Sequence, residues 1–373
     1  MGFGLFVPEF RAEFEISSAA VGFVSSLGFL GFLLGLMVAQ AMLMQRGPAT
    51  AVLSGLIAAT VGLGLVAVAP GLPVLALGVF LAASSAGFVW TPFNDAVHRN
   101  VCALDRPTAL SRISTGTSVG IVAAGLAALV MALTDLSWRA CWTVFAMMSS
   151  VALLANLATL RSVGADRAAL PAGVWRGVLR RAALPLFAVA FVYGTTSAIY
   201  ISFAADHMRG GGVPGLPSEM TPALIFVVLG LFGFTGLLTG RVKRAIGLPW
   251  VLRLLMLAGA LSVALAAVGG GSWAGLVASA GLQGVHVMMT SAVLAFWSDR
   301  LFPSLPSLGF TAALLAMAGG SVLGPAVAGV LAEAFGSRAM FLGLASLPAA
   351  FALLLRDRHV REDPERAVAA ARP

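Results

Sequence analysis

Three polar side chains, Gln283, His286 and Thr290, interrupt an apolar run that reads GLQGVHVMMTSAVLAF. At spacings of three and four they share one face of a helix. A neutral imidazole donates and accepts a hydrogen bond and changes charge near neutral pH. His286 is therefore suited to bind a solute or relay a proton; a histidine bonded to a neighbouring helix fits the same pattern equally well. A second run places Tyr193, Thr196, Ser197 and Tyr200 on one stripe, and these are the only tyrosines in the chain. Flat apolar rings with hydroxyl tips suit a small organic solute, although Tyr200 reads equally as an interfacial anchor. A third run carries Ser84, Phe88, Thr91 and Asp95 at helical spacing, with Trp90 and Asn94 beside them. Asp95, with Arg99 and Arg112 nearby, is either an ion pair at a helix end or a solvated end charge. Asp206 and His207 pose the same choice.

Other chemistries find little support. The stretch RGGGVPG spells G-x-G-x-x-G at Gly210, Gly212 and Gly215, but no strand precedes it and no βαβ unit surrounds it, so it reads as a loop. His98 and Cys102 have a metal-ligand spacing without further ligands near them. Cys102 and Cys141 form neither a disulfide framework nor a metal site. With no nucleophile triad and no paired core carboxylates, the expectation is a protein that is not an enzyme and has neither catalytic residues, cofactor nor metal. The formal net charge of +8 is scattered over short loops, which argues against a nucleic-acid partner.

The elements that position these residues are transmembrane helices. Of 373 residues, 59% are hydrophobic and 10% charged, where a soluble domain carries roughly a quarter charged. Apolar runs recur at 18–44, 49–69, 74–97, 113–133, 138–160, 184–205, 221–240, 249–268, 272–297, 308–331 and 338–355. Each is long enough to cross a bilayer as a helix, and none shows the strict alternation of a membrane barrel. Short breaks such as QRGP and GRVKRAIGLP make neighbouring helices antiparallel. One break is longer: residues 161–183 hold five arginines and divide the chain in two. The expected organisation is an N-terminal bundle over 1–160, a cytoplasmic loop over 161–183, a C-terminal bundle over 184–356 and a cytoplasmic tail over 357–373. Lys and Arg crowd the loops of one side, which places the C-terminus inside. Eleven crossings then put Glu9, Glu13 and Glu15 outside, and Gly2 to Val7 reads as the last turns of a first helix, for a full count of twelve.

An internal repeat sharpens this picture. Asp95 in FNDAVHR is followed 204 residues later by Asp299 in FWSDRLF, and the same offset carries Gly116, Gly120 and Gly125 onto Gly320, Gly324 and Gly329. Close helix packing is one expected use of those glycines. Two six-helix units joined by a basic loop resemble the major facilitator superfamily. Its loop motif after the second helix is partly kept in GLMVAQAMLMQRGPAT (Gly35, Arg46, Gly47) and in GLLTGRVKRAIG (Gly236, Gly240, Arg241, Arg244, Gly247), without the family's aspartate. Ile121 stands where the antiporters' helix-5 proline belongs.

The resemblance implies an all-α polytopic protein of two six-helix bundles with pseudo-two-fold symmetry, the first helix mostly missing. It also implies a central cavity lined by helices 1, 4, 7 and 10, here residues 74–97, 184–205 and 272–297. Ser84, Trp90, Thr91, Tyr193, Thr196, Tyr200, Gln283, His286 and Thr290 become candidates for that cavity; Asp95, Arg99, Arg112 and His286 become candidates for gating or coupling. The implied function is secondary transport of a small organic solute by alternating access, with protons as the default coupling ion. The expected setting is a monomer in the lipid bilayer of a bacterial inner membrane. The other reading is a non-transporting sensor or transporter relic.

Overall fold

The computed structural model describes residues 2–102, 105–134, 136–159, 181–303, 306–355 and 360. Among them there are helices and no strands, and eleven helices are long and apolar enough to span a membrane. Fourteen α-helices follow in order. In the first half these are α1 (Gly2–Leu5), α2 (Val7–Phe14), α3 (Ser18–Arg46), α4 (Pro48–Ala67), α5 (Leu72–Asn100), α6 (Arg106–Thr134) and α7 (Trp138–Thr159). In the second they are α8 (Leu184–Arg209), α9 (Thr221–Gly233), α10 (Thr239–Ile246), α11 (Leu248–Gly269), α12 (Trp273–Leu301), α13 (Pro306–Phe335) and α14 (Ser337–Leu354). The arginine-rich segment expected to join the bundles and the tail beyond Leu355, apart from Val360, lie outside the described residues.

Local sequence explains most boundaries. Ser17 caps α3 by accepting from the Ala20 N–H, and Ser272 caps α12 by accepting from the Gly275 N–H at 3.1 Å. Proline opens α4, α5, α8, α9 and α11, where its missing N–H costs no helical bond. The last glycines of the two loop motifs, Gly47 and Gly247, both sit at φ 82°, a conformation that side chains with a Cβ resist, and this is how each chain reversal is made within a residue. Residues 7–14 form helix α2, with Pro8 in its first turn. The span expected at 221–240 is present within Ser218–Ile246, where Phe234–Leu238 tightens into a 3₁₀ turn and the Thr235 and Thr239 hydroxyls donate to the Phe232 and Gly236 carbonyls.

Within the first half α5 packs on α3 and α4, and α7 packs on α4; within the second α13 packs on α8, and α11 on α12 and α14. The halves meet along two seams, α3 against α13 and α6 against α9. Glycine makes both seams close. Gly22 lies against the Pro325 carbonyl and Gly329, while Gly125 and Gly230 each leave room for the opposing backbone at Val227 and Val122. Gly320 and Gly324 pack instead inside their own half, on Phe191, Thr195 and Ile199 of α8. The packing expectation is corrected at Gly116 and Gly120: a Cβ at either would meet nothing within 4 Å, because no described element covers that face of α6 as α8 covers α13.

The halves also touch at both membrane ends. At one end Leu36, Val97, Ala295, Phe310, Leu314 and Ala318 form a buried cluster across α3, α5, α12 and α13. At the other, the Ala19 N–H donates to the Glu333 carboxylate at 3.0 Å.

A buried polar layer between two central helices

Helices α8 and α12 hold the densest set of buried polar side chains. Tyr193 donates its hydroxyl to the Val287 carbonyl at 3.0 Å, and the Tyr200 hydroxyl lies 2.9 Å from Ser279 Oγ. These two ties fix an antiparallel register between the helices. The same register sets Gln283 level with Thr196 and Ser197, midway between the tyrosines.

Each tie takes up a hydroxyl that the sequence offered to a solute. Tyr193 and Tyr200 are buried, and Ser279 is bonded in turn to the Ser262 carbonyl on α11. His286 faces the same way: Nδ1 lies 2.8 Å from the Leu255 carbonyl, and its ring stacks edge-on to Tyr193 at 5.5 Å. A carbonyl only accepts, so Nδ1 carries a proton, and in the neutral ring Nε2 is a free acceptor. Gly259 makes room for this ring, since a Cβ there would come within 2.8 Å of it.

What remains between the tyrosines is unpaired. Thr196, Gln283, His286 and Thr290 are fully buried and Ser197 nearly so, yet Thr196 Oγ1, Ser197 Oγ, both Gln283 amide atoms, His286 Nε2 and Thr290 Oγ1 have no hydrogen-bond partner among the described residues. A buried donor or acceptor without a partner costs about 1–3 kcal/mol. Such a concentration at mid-helix is stable only when a solute, water or a changed conformation satisfies it. The layer can offer a primary amide, three hydroxyls and a ring nitrogen, which suits hydrogen-bonding neutral groups.

The other sequence candidates sit elsewhere. Ser84 is buried on α5, donates to the Leu81 carbonyl at 2.7 Å, and borders a crevice of 490 Å³ between α3, α4 and α5. The exposed side chains of Leu34, Val38, Ile57 and Val61 wall the same crevice, so it belongs to the bilayer side of the bundle. Trp90 packs on the end cluster of Leu36 and Val97. The side chains of Thr91, Asp95 and Arg99 lie outside the described residues, and Arg112 is exposed at the start of α6. Asp206 forms an ion pair with Arg11 at 2.9 Å, and His207 packs on the Phe341 ring at 5.2 Å.

Several residues of interest carried little signal in the sequence. Ser25 and Ser26 on α3 and Ser118 on α6 are buried with unpartnered hydroxyls beside the seams, but single serines in apolar runs are common. Glu9 and Arg11 looked like surface charges until α2 set them against α8.

Comparison with known proteins decides the family. Residues 1–357 match the family profile described as "Uncharacterised MFS-type transporter YbfB". The chain belongs to that family. It is therefore a multi-pass membrane protein of an MFS-type transporter family, as the repeat and the loop motifs implied. Solved transporters share its fold. The nucleoside transporter NupG, in a mutant form, aligns with a TM-score of 0.75 at 14% identity over 95% of this chain and 96% of its own. The peptide transporter POT, also a mutant, aligns at 0.75 and 15% over 95% and 90%, and unmutated NupG at 0.71 and 14% over 95% and 94%. At such identities the likeness extends to the fold alone. No curated protein matches the sequence. The six-plus-six organisation of this MFS-type transporter explains why its two inter-half seams are built from pseudo-equivalent helices: α3 and α6 of one half meet α13 and α9 of the other.

Proposed function

We propose that this chain is a secondary active transporter of a small, neutral or weakly charged organic solute, bound in the layer formed by Thr196, Ser197, Gln283, His286 and Thr290. The observation that carries this reading is the set of buried, unpaired hydrogen-bonding atoms on facing stripes of α8 and α12. A solute with hydroxyl, amide or ring-nitrogen groups offers partners to these atoms, and binding would recover much of their desolvation cost. Alternating access follows from rocking the two halves about the glycine seams of α3–α13 and α6–α9, with closure at the Leu36–Phe310 cluster at one end and at α2 at the other. Protons are the proposed coupling ion and the bacterial inner membrane the proposed setting, with the C-terminus cytoplasmic. The chain acts as a monomer, without cofactor or nucleic acid.

The test is a thermal-shift screen of polar neutral solutes on purified protein, followed by uptake into proteoliposomes with and without a pH gradient. Hits should lose their shift in Gln283→Leu. A confirmed, transported hit whose affinity is unchanged in Gln283→Leu and Thr196→Val would remove the layer as the binding site.

A further inference from the structure

The short helix α2 ties the two halves together at one membrane end. Its Glu13 accepts from Trp138 Nε1 at 2.7 Å and pairs with Arg139 at 2.6 Å, both on α7. Phe6 and Phe10 pack on the rings of Trp142 and Trp138 from the same side. This face therefore holds α2 to the first half. Across the gap, Arg11 pairs with Asp206 at 2.9 Å and Glu9 with Arg209 at 3.4 Å, both on α8 of the second half. Opening this end by rocking must break the second set and leave the first.

Glu9 is the poorly compensated member of the set. Its side chain is 19% exposed, only Oε1 reaches Arg209, and that guanidinium is shared with Glu219 at 4.0 Å. Oε2 is buried without a hydrogen-bond partner among the described residues. The charged and titratable groups around it are Arg11 and Glu13 on its own helix, Asp206, His207 and Arg209 on α8, Glu219 before α9, Cys141 on α7, and Arg338 beyond His207 on α14. The anionic Asp206 adds to the repulsion at this point.

From this geometry we infer that Glu9 is a proton-binding site whose occupancy holds this end of the transporter shut, and whose deprotonation favours its opening. The inference rests on the two-half rocking proposed above. Closure strips water from a carboxylate that has one shared cation and one orphan oxygen, so the closed form prefers the neutral acid. Burial raises Glu9 above the ordinary carboxylate value, and its backbone hydrogen bond and Arg209 pull it only part of the way back. When α2 parts from α8, Glu9 becomes solvated and returns toward its ordinary value. The closed form therefore binds the proton more tightly, and the closed end is favoured as pH falls. Rising pH releases the proton to the aqueous phase of that end, and the contacts of α2 with α8, the Arg11–Asp206 pair among them, open. Each unit by which closure lifts Glu9 changes the opening equilibrium by on the order of tenfold across the titration.

Ser202 reports on this end. It is 3% exposed on α8, one turn before Asp206, where Gly4 of α1 lies against it. Ser202→Cys in a Cys141→Ser background, held in nanodiscs, would be labelled with a water-soluble maleimide between pH 5 and 8. The exposed native Cys102 supplies the internal reference for the intrinsic pH dependence of the thiol reaction.

The expected result is a labelling ratio, Ser202→Cys over Cys102, that rises several-fold with pH when Glu9 is present and stays low and flat in Glu9→Gln. Arg209→Ala, which removes the cation that favours the carboxylate, should shift the midpoint to higher pH. A ratio that is flat or falls with pH, or the same rise in Glu9→Gln, overturns the inference. Should Glu9→Gln fail to fold, an unmoved midpoint in Arg209→Ala overturns it alone. Solute uptake that persists while the ratio is flat would sink the latch and leave the transport reading standing. A pH-dependent ratio without any solute moved would do the reverse.

Discussion

Replacing Gln283 by Leu should make this protein more stable while it weakens solute binding. The side chain is fully buried and both amide atoms lack partners among the described residues. An unpaired buried donor or acceptor costs about 1–3 kcal/mol. Bonds between membrane helices contribute less, about 0.6 kcal/mol on average, so the lower part of that range applies to the pair. Leucine has similar volume and removes the penalty. The expected gain is about 1–2 kcal/mol in the solute-free protein. For a chain of this length that corresponds to a rise of about 1–3 °C in Tm, measurable by intrinsic fluorescence in detergent or nanodiscs. A solute identified by screening should stabilise the native protein and not the variant. If Gln283→Leu instead lowers stability by about 1 kcal/mol or more, the amide is engaged in the resting protein and the case for an unmet polar layer fails.

Three further outcomes follow from the same geometry. Gly259→Ala should destabilise by about 1–3 kcal/mol, because the new methyl meets the His286 ring, and His286→Ala in the same chain should relieve most of that cost; additive unfolding energies would place the ring elsewhere. Gly247→Ala, at φ 82°, should cost about 1–2 kcal/mol in denaturant unfolding, and an unaffected midpoint would mean the reversal has another solution. Glu13→Gln should lower stability at neutral pH and have progressively less effect as pH falls below 4.5. Burial alone would raise Glu13, but its bonds from Arg139 and Trp138 outweigh that and hold it below the ordinary 4.5. The stabilisation it gives is thus present above that value and fades as pH falls through the lower, folded one. An equal loss at neutral and at acid pH would contradict the assignment.

The sequence by itself determined the membrane class, the number and order of long spans, and the division into two similar halves. These properties are written in composition and in period: about twenty apolar residues must form a helix in lipid, whatever surrounds them. It also determined which polar residues stand at mid-span, because Gln283, His286 and Thr290 interrupt a run that is otherwise mostly apolar. Spacing alone could not determine which way those stripes turn. Tyr193, Tyr200 and His286 looked like solute ligands, and the tertiary structure turns both tyrosine hydroxyls and His286 Nδ1 to Val287, Ser279 and Leu255, leaving Thr196, Ser197, Gln283, Thr290 and His286 Nε2 as the unpaired set among the described residues. Helix periodicity fixes which residues share a face, and only packing fixes what that face meets. The same holds for charge. Glu9 and Arg11 are remote in sequence from Asp206 and Arg209 and ordinary in type, and their pairing exists because the two halves close on each other at that end.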